Sequence, residues 1–226
     1  MARQRRIEIR EIGAEGALAV IVDEFATDPG RWRNEASGRE YRSMGDFYPG
    51  GRTAVPADYF SDVGPVLGEI FRNVFACTGR MSIQRALYSI ASTPREELGL
   101  AQRIPHFDET APGHYAMVHY LSPEDLGGTA FYRHRSTGFE SVSVERHRTY
   151  LGRLNDDFQA HGEPAPAYIC GDTPLFEQTA LVEHRYNRAV IYPASLLHCS
   201  QLRQGVALDP DPLCGRLTIA AFMLAR

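Results

Sequence analysis

The sequence predicts a mainly β fold with flanking helices, and three observations carry that prediction. Beyond residue 81, β-branched and aromatic runs recur between Gly, Pro, Asp and Asn. Helical signals are confined to three stretches, two of them before residue 81. With 226 residues, 43% hydrophobic and 23% charged, the chain has a globular composition and can bury a core without staples. The reading is one domain over 1–226, with strands and helices of 1–80 buttressing an antiparallel sandwich or barrel built by 81–226.

In order, 7–12 and 19–25 read as strands. Asp28 followed by Pro29 reads as a helix start, a capping residue with proline at the first helical position. The stretch 46–56 (DFYPGGRTAVP) is rich in turn formers and reads as irregular. After Asp62, Val63, Val66, Leu67, Ile70, Phe71, Val74 and Phe75 share one face of a helix that should end near Thr78 and Gly79. Strands are expected at 82–91, 115–121, 129–132, 176–182, 188–192 and 216–224. A helix over 143–161 would place Val144, His147, Leu151, Leu154 and Phe158 on a common side. The run 187–198 reads as a strand, a proline-containing bend and a short strand that delivers His198.

Composition excludes several functions. A net charge of -4 argues against a general nucleic-acid binder. Arg3, Arg5, Arg6 and Arg10 form a basic cluster that reads as a solvated terminus. All 24 basic residues are arginine, which excludes Schiff-base enzymes, phosphate-loop ATPases and protein kinases. Cys77, Cys170, Cys199 and Cys214 are scattered, with no C-x-x-C pair, and read as reduced thiols. The polar opening and the lack of any long apolar run give the expectation of a cytoplasmic protein with no membrane partner, homo-oligomerisation being open.

The chemistry begins at His106-Phe107-Asp108. In an extended segment, residues two apart point to the same side, so this pair can offer an imidazole nitrogen and a carboxylate oxygen to one cation. Two imidazoles and one carboxylate on one face are the ligand set of non-heme Fe(II) oxygenases. His198 is the best third ligand, ahead of the mid-strand His119, His134 and the polar-turn His184. Cys199 beside it should face the other way and reads as core. Arg216 opens the last strand, where its planar fork needs an anionic partner and suits a carboxylate. A dicarboxylate gripping the metal at one end and Arg216 at the other would meet both demands.

In this order, the H-x-D triplet, the stretch 115–132 (YAMVHYLSPEDLGGTAFY), His198 and Arg216 resemble the 2-oxoglutarate- and Fe(II)-dependent oxygenases. The likeness is greatest to the prolyl 4-hydroxylase-like branch, in which a strand ending in Tyr-Leu, an acidic turn and a Gly-Gly-x-Thr-x-Phe motif follow the first ligands. Here stand Tyr120-Leu121, the turn Ser122-Pro123-Glu124-Asp125, and Gly127-Gly128-Thr129-Ala130-Phe131, one residue shorter than that motif. The likeness covers 85–224 and suggests a bacterial subfamily rather than a prolyl hydroxylase proper.

The resemblance implies a double-stranded β-helix (jelly-roll) core in which His106, Asp108 and His198 bind Fe(II). It implies that 2-oxoglutarate chelates the metal while Arg216 holds its distal carboxylate, helped by Tyr88, with Ser89 or Tyr115 as alternatives. Dioxygen would take the remaining position, and an unidentified small-molecule or peptide substrate would be hydroxylated with release of succinate and carbon dioxide. Asp108 stands where halogenating members carry a small residue, which implies hydroxylation or a related oxidation. Tyr48 and Arg52 in 47–52, and Arg133 in 132–135, combine aromatic faces with arginine forks and are read as framing the substrate entrance. Two other readings compete: a non-catalytic metal- or small-ligand-binding β-barrel module, and a hydrolytic zinc site, which would leave Arg216 without a task.

Overall fold

The computed structural model describes residues 4–45, 47–206 and 208–226. Arg3 of the basic cluster and Asp46 at the head of the turn-rich stretch lie outside them. The element order is β1 (Arg6–Ile12), β2 (Ala17–Asp23), α1 (Pro29–Ser37), β3 (Arg42–Ser43), β4 (Gly50–Ala54), α2 (Tyr59–Asn73) and β5 (Met81–Ala91). Then follow β6 (His114–Tyr120), β7 (Gly127–His134), α3 (Val144–His161), β8 (Phe176–Val182), β9 (Ala189–Pro193), β10 (His198–Leu202) and β11 (Arg216–Ala225). An antiparallel sheet in the order β1-β2-β9-β6-β11-β5-β4-β3 packs against a smaller sheet, β10-β7-β8. Ile21, Tyr120, Phe131, Val190 and Tyr192 fill part of the space between them. The fold is mainly β, a jelly-roll core with flanking helices, as the sequence predicts.

Side-chain alternation gives the large sheet two unlike faces. Leu217, Ile219, Ala221 and Met223 of β11 join the core beneath α1 and α2. Arg216, Thr218, Ala220 and Phe222 therefore turn to the other side, toward the small sheet. Register carries the same parity across neighbouring strands: Ser89 pairs with Thr218 and Arg52, and Tyr88 pairs with Ile219.

Asp28 caps α1 by accepting from the Arg31 N–H at 2.9 Å, and Pro29 follows it. Trp32 is buried beneath the helix, its Nε1 donating to Asp62 at 2.8 Å. The second helix buries Tyr59, Val63, Val66, Leu67, Ile70 and Phe71. Each such aliphatic or Phe side chain contributes about 1.5–3 kcal/mol on leaving water. This helix starts ahead of Asp62 and stops at Asn73, short of the expected Thr78 and Gly79. Ala76 at φ 52° reverses the chain, and the Cys77 N–H donates to Phe71 O at 2.9 Å.

The stretch expected to be irregular contains a strand, β4, paired with β5. Its glycines are there for close approach. Gly50 has φ 153°, and a Cβ on it would run into Ile90 O; a Cβ on Gly51 would meet Tyr41. Strands β1 to β4 extend the large sheet at both ends, and the two helices cover its outer face.

Ser143 caps α3, and Gly162 ends it at φ 78°. The buried residues of this helix are Tyr150 and Leu154; Val144 and Leu151, expected on an apolar packing side, are exposed. His147, Leu151 and Leu154 line a cavity instead. Among the described residues no helix is long and apolar enough to cross a membrane.

Candidate metal centre and its cavity

The segment before β6 is clipped to the small sheet by its backbone. The His106 N–H donates to His198 O at 2.9 Å, and the His198 N–H donates back to His106 O at 2.8 Å. The Asp108 N–H donates to Ala194 O at 2.8 Å. His106 and Asp108 turn into the interior, while Phe107 packs edge-on against His147 and Tyr150 on the other side. His198 faces inward, and Cys199 is buried with Tyr132 and Leu197. The His198 Nδ1–H donates to Leu196 O at 2.8 Å, which leaves the Nε2 lone pair aimed into the site.

Three donor atoms converge as a result. His198 Nε2 lies 3.4 Å from Asp108 Oδ2, and His106 Nε2 lies 3.8 Å from Asp108 Oδ1. One ligand atom from each of the three residues falls within 4.8 Å of the others. Among the described residues this is the sole such group of His, Cys, Asp and Glu. The side chains keep 30%, 15% and 7% of their surface for His106, Asp108 and His198, so an ion here is shielded yet reachable.

Burial, then the neighbouring His198 and Arg52, holds the His106 pKa well below its ordinary value, so the ring is neutral and can donate a lone pair. Burial also pushes the Asp108 carboxyl upward, against the pull of His198, Arg52 and Arg85. A divalent cation would remove that penalty by supplying the missing positive charge. The donor set of two imidazoles and one carboxylate fits Fe(II), and among the described residues no further His, Cys, Asp or Glu joins the triad.

A cavity of about 630 Å³ opens beside His106 and Asp108, within the range of small-molecule sites. A recess of about 50 Å³ lies behind it, where Tyr48, Arg52, Thr129, Ser200 and Thr218 join the triad. Two buried polar atoms there have no partner: Tyr48 Oη and Arg52 Nε. The Arg52 guanidinium lies 4.1 Å over the Tyr48 ring. Unpaired buried groups are uncommon and call for an explanation, and a polar ligand would be one.

Arg216 stands beside this recess, buried. Its Nε and Nη2 donate to Gly127 O at 3.0 Å and Gly128 O at 2.9 Å, and Nη1 donates to Ser200 Oγ at 3.3 Å. Among the described residues it makes no ion pair with a carboxylate, so a buried cation is left without a counter-charge. The Gly127-Gly128 pair lets β7 lie close to both neighbours, since a Cβ on either would strike backbone of Gln201 or Val182.

Other expected site residues lie elsewhere. Tyr88 and Tyr115 face the helices, not the cavity. Tyr88 is buried in that core, and Tyr115 packs against Phe71 and Phe75 with ring centroids 5.0 and 4.5 Å apart. Ser89, the other alternative, is on the inner face opposite Thr218. Arg133 binds Glu140 and, at 3.2 Å, Glu177, while Glu140 accepts from the N–H groups of Ala14 and Glu15. It therefore fastens the β1–β2 turn and has no place at the entrance; a register shift after Phe131 alters the parity of β7. His119 is held by Tyr59 and Asn187, His134 by Asp157, and His184 lies 3.9 Å from Asp125. Thr218 and Ser200 went unselected in the sequence, although each sits two positions along from Arg216 or His198 and so shares its face.

The model of a family of unknown function (DUF6445) matches residues 3–223. No curated protein matches the sequence. Two solved structures share the fold at low identity. SnoN, a non-heme alpha ketoglutarate dependent epimerase from nogalamycin biosynthesis, is 13% identical with a TM-score of 0.51, over 95% of this chain and 78% of that one. HygX from Streptomyces hygroscopicus, with nickel, 2-oxoglutarate and hygromycin B bound, is 15% identical with a TM-score of 0.50, over 95% and 83%.

Proposed function

The chain belongs to the family of unknown function DUF6445, and from that premise we propose that it is a 2-oxoglutarate- and Fe(II)-dependent oxygenase that hydroxylates its substrate. The observation that carries the reading is the convergence of His106, Asp108 and His198 on one recess, with Arg216, paired by no described carboxylate, beside it. SnoN and HygX support it, because on this fold SnoN is alpha ketoglutarate dependent and HygX binds nickel and 2-oxoglutarate. Their likeness leaves the reaction outcome open to other evidence, since SnoN is an epimerase. Hydroxylation rests on Asp108, which occupies the position that halogenating enzymes of this type leave small. The prolyl 4-hydroxylase-like placement rests on the 120–131 motif alone.

Fe(II) with 2-oxoglutarate and dioxygen supplies an oxidant strong enough to take hydrogen from an unactivated carbon, releasing succinate and carbon dioxide. The chain's own residues do the rest. His106 and His198 hold the ion through Nε2, the latter oriented by Leu196 O, and Asp108 supplies the anionic ligand. Arg216, Ser200 and Thr218 orient the distal carboxylate of 2-oxoglutarate, and the Tyr48 hydroxyl gains a partner there. The four cysteines are unpaired thiols, which suits the cytoplasm.

Anaerobic titration of the protein with Fe(II) and 2-oxoglutarate tests this. We expect a weak visible charge-transfer band that is lost in His106→Ala and weakened in Arg216→Ala, and succinate formation on admitting air. Absence of both band and succinate would favour a non-catalytic binding module.

A further inference from the structure

Beyond the residues assigned to iron and 2-oxoglutarate, the cavity has a second cationic feature. Arg52 and Arg85 both line the main chamber, and Arg85 does not line the recess behind the triad. Each guanidinium lies over a ring, Arg52 at 4.1 Å from the Tyr48 centroid and Arg85 at 4.7 Å from Phe222. Neither makes a hydrogen bond or ion pair among the described residues, and Arg52 Nε is buried without a partner. Among the described residues Asp108 is the one acid on the chamber wall, and the metal would engage it. Two positive charges thus face the chamber, and among the described residues no carboxylate other than Asp108 shares its wall.

Much of the remaining wall is apolar. Ile104, Phe107, Leu154 and Ile169 line it, and Met44, Phe47 and Leu151 stand at its mouth. The last three are among the few large apolar side chains left exposed, Phe47 at 65%. Exposed apolar surface gathered at a cavity mouth marks a binding site better than the same surface scattered.

We propose that the substrate is a small amphipathic acid. Its carboxylate or phosphate head lies between Arg52 and Arg85, and its apolar body runs past Leu154 and Ile169 to the mouth at Phe47 and Leu151. The forks of two arginines match the oxygens of either head group, and stacking on Tyr48 and Phe222 keeps those forks in place. This inference rests on the oxygenase reading of the same site and adds what that site accepts.

The test uses the full chain loaded with Zn(II) and 2-oxoglutarate, which binds without turnover. Calorimetry compares octanoate, octyl phosphate and octanamide, after the Zn(II) and 2-oxoglutarate isotherms have been recorded separately. At least one of the two acids should bind about tenfold more tightly than the amide, the scale of one charge-assisted hydrogen bond. Arg52→Gln and Arg85→Gln should each erode that preference, whereas Leu151→Asn should weaken acids and amide alike. Equal binding of acids and amide, no binding of any, or a preference untouched by both arginine changes overturns the proposal. So does an Arg52→Gln variant that loses 2-oxoglutarate but keeps the acid preference. A chain that binds Zn(II) and 2-oxoglutarate without preferring acids loses only this inference. One that prefers acids but binds neither loses the oxygenase reading and keeps the acid site.

Discussion

The two faces of the large sheet are made by alternate residues of the same strands, yet only one of them is closed. On the helix side, Tyr88, Met117, Ile219 and Met223 pack beneath α1 and α2. The histidine on that face, His119, has both ring nitrogens occupied, by the Tyr59 hydroxyl at 2.9 Å and Asn187 Oδ1 at 3.1 Å. On the cavity side, Arg52 and Thr218 stand across from Ser89, and Tyr48 Oη and Arg52 Nε have no partner. The contrast teaches how to separate stabilising residues from reactive ones. The one unanswered hydroxyl among these helix-side residues, that of Tyr88, is sealed in the core, whereas Tyr48 Oη and Arg52 Nε border a cavity that a ligand can enter.

Substitutions on opposite faces should therefore fail in different ways. Among cavity residues, His106→Ala should lower Fe(II) affinity by more than about 100-fold, since even outer-shell partners of metal ligands are worth 10–100-fold. Metal-free unfolding by urea should barely change. On the helix side, Phe71→Ala should cost about 3–5 kcal/mol in the same urea experiment. The protein that remains folded should bind metal normally. A Phe71→Ala variant that loses metal as well would break the separation.

A smaller effect sharpens the contrast through pH. Burial, opposed by the Asn187 hydrogen bond, holds the His119 pKa at about 4, so the ring is neutral in the folded protein. The unfolded chain takes up that proton near pH 6.5, so stability is full above that value and drains away as pH falls toward 4. The group accounts for on the order of 3 kcal/mol across that window. Melting temperatures recorded between pH 7 and 4.5 should drop in the wild type and drop less in His119→Asn. The smallest effect is expected of Tyr88→Phe. Its hydroxyl is buried without a partner, so losing it should leave both stability and the KM for 2-oxoglutarate nearly unchanged. A raised KM would put Tyr88 back in the site.

The convergence of His106, Asp108 and His198 is legible because its signal is local: a two-residue spacing fixes the side on which both donors of the first pair lie, and His198 closes a run with a readable bend. The cosubstrate residues were less so. Strands β5 and β6 have large or apolar residues at both parities near Tyr88 and Tyr115, so sequence alone does not say which set faces the helices. Arg133 was misplaced because a register shift in β7 leaves no mark in the residue pattern. Strand β4 was hidden by Gly50 and Gly51, whose turn-forming character and close-approach role look alike in a sequence. Tyr48 and Arg52 stand out in the sequence as framing an entrance and do line the chamber; their further place at the recess depends on β4 pairing with β5.

The reciprocal backbone bonds between His106 and His198 have a consequence for how the ion is handled. Main chain, rather than coordination, sets the distance between the two imidazole-bearing segments. If the proposed iron binds here, chelation should remove it without melting the protein, and adding the ion back should restore the centre as fast as diffusion and ligand exchange permit. Such a scaffold can wait through iron scarcity intact, ready to be recharged rather than refolded.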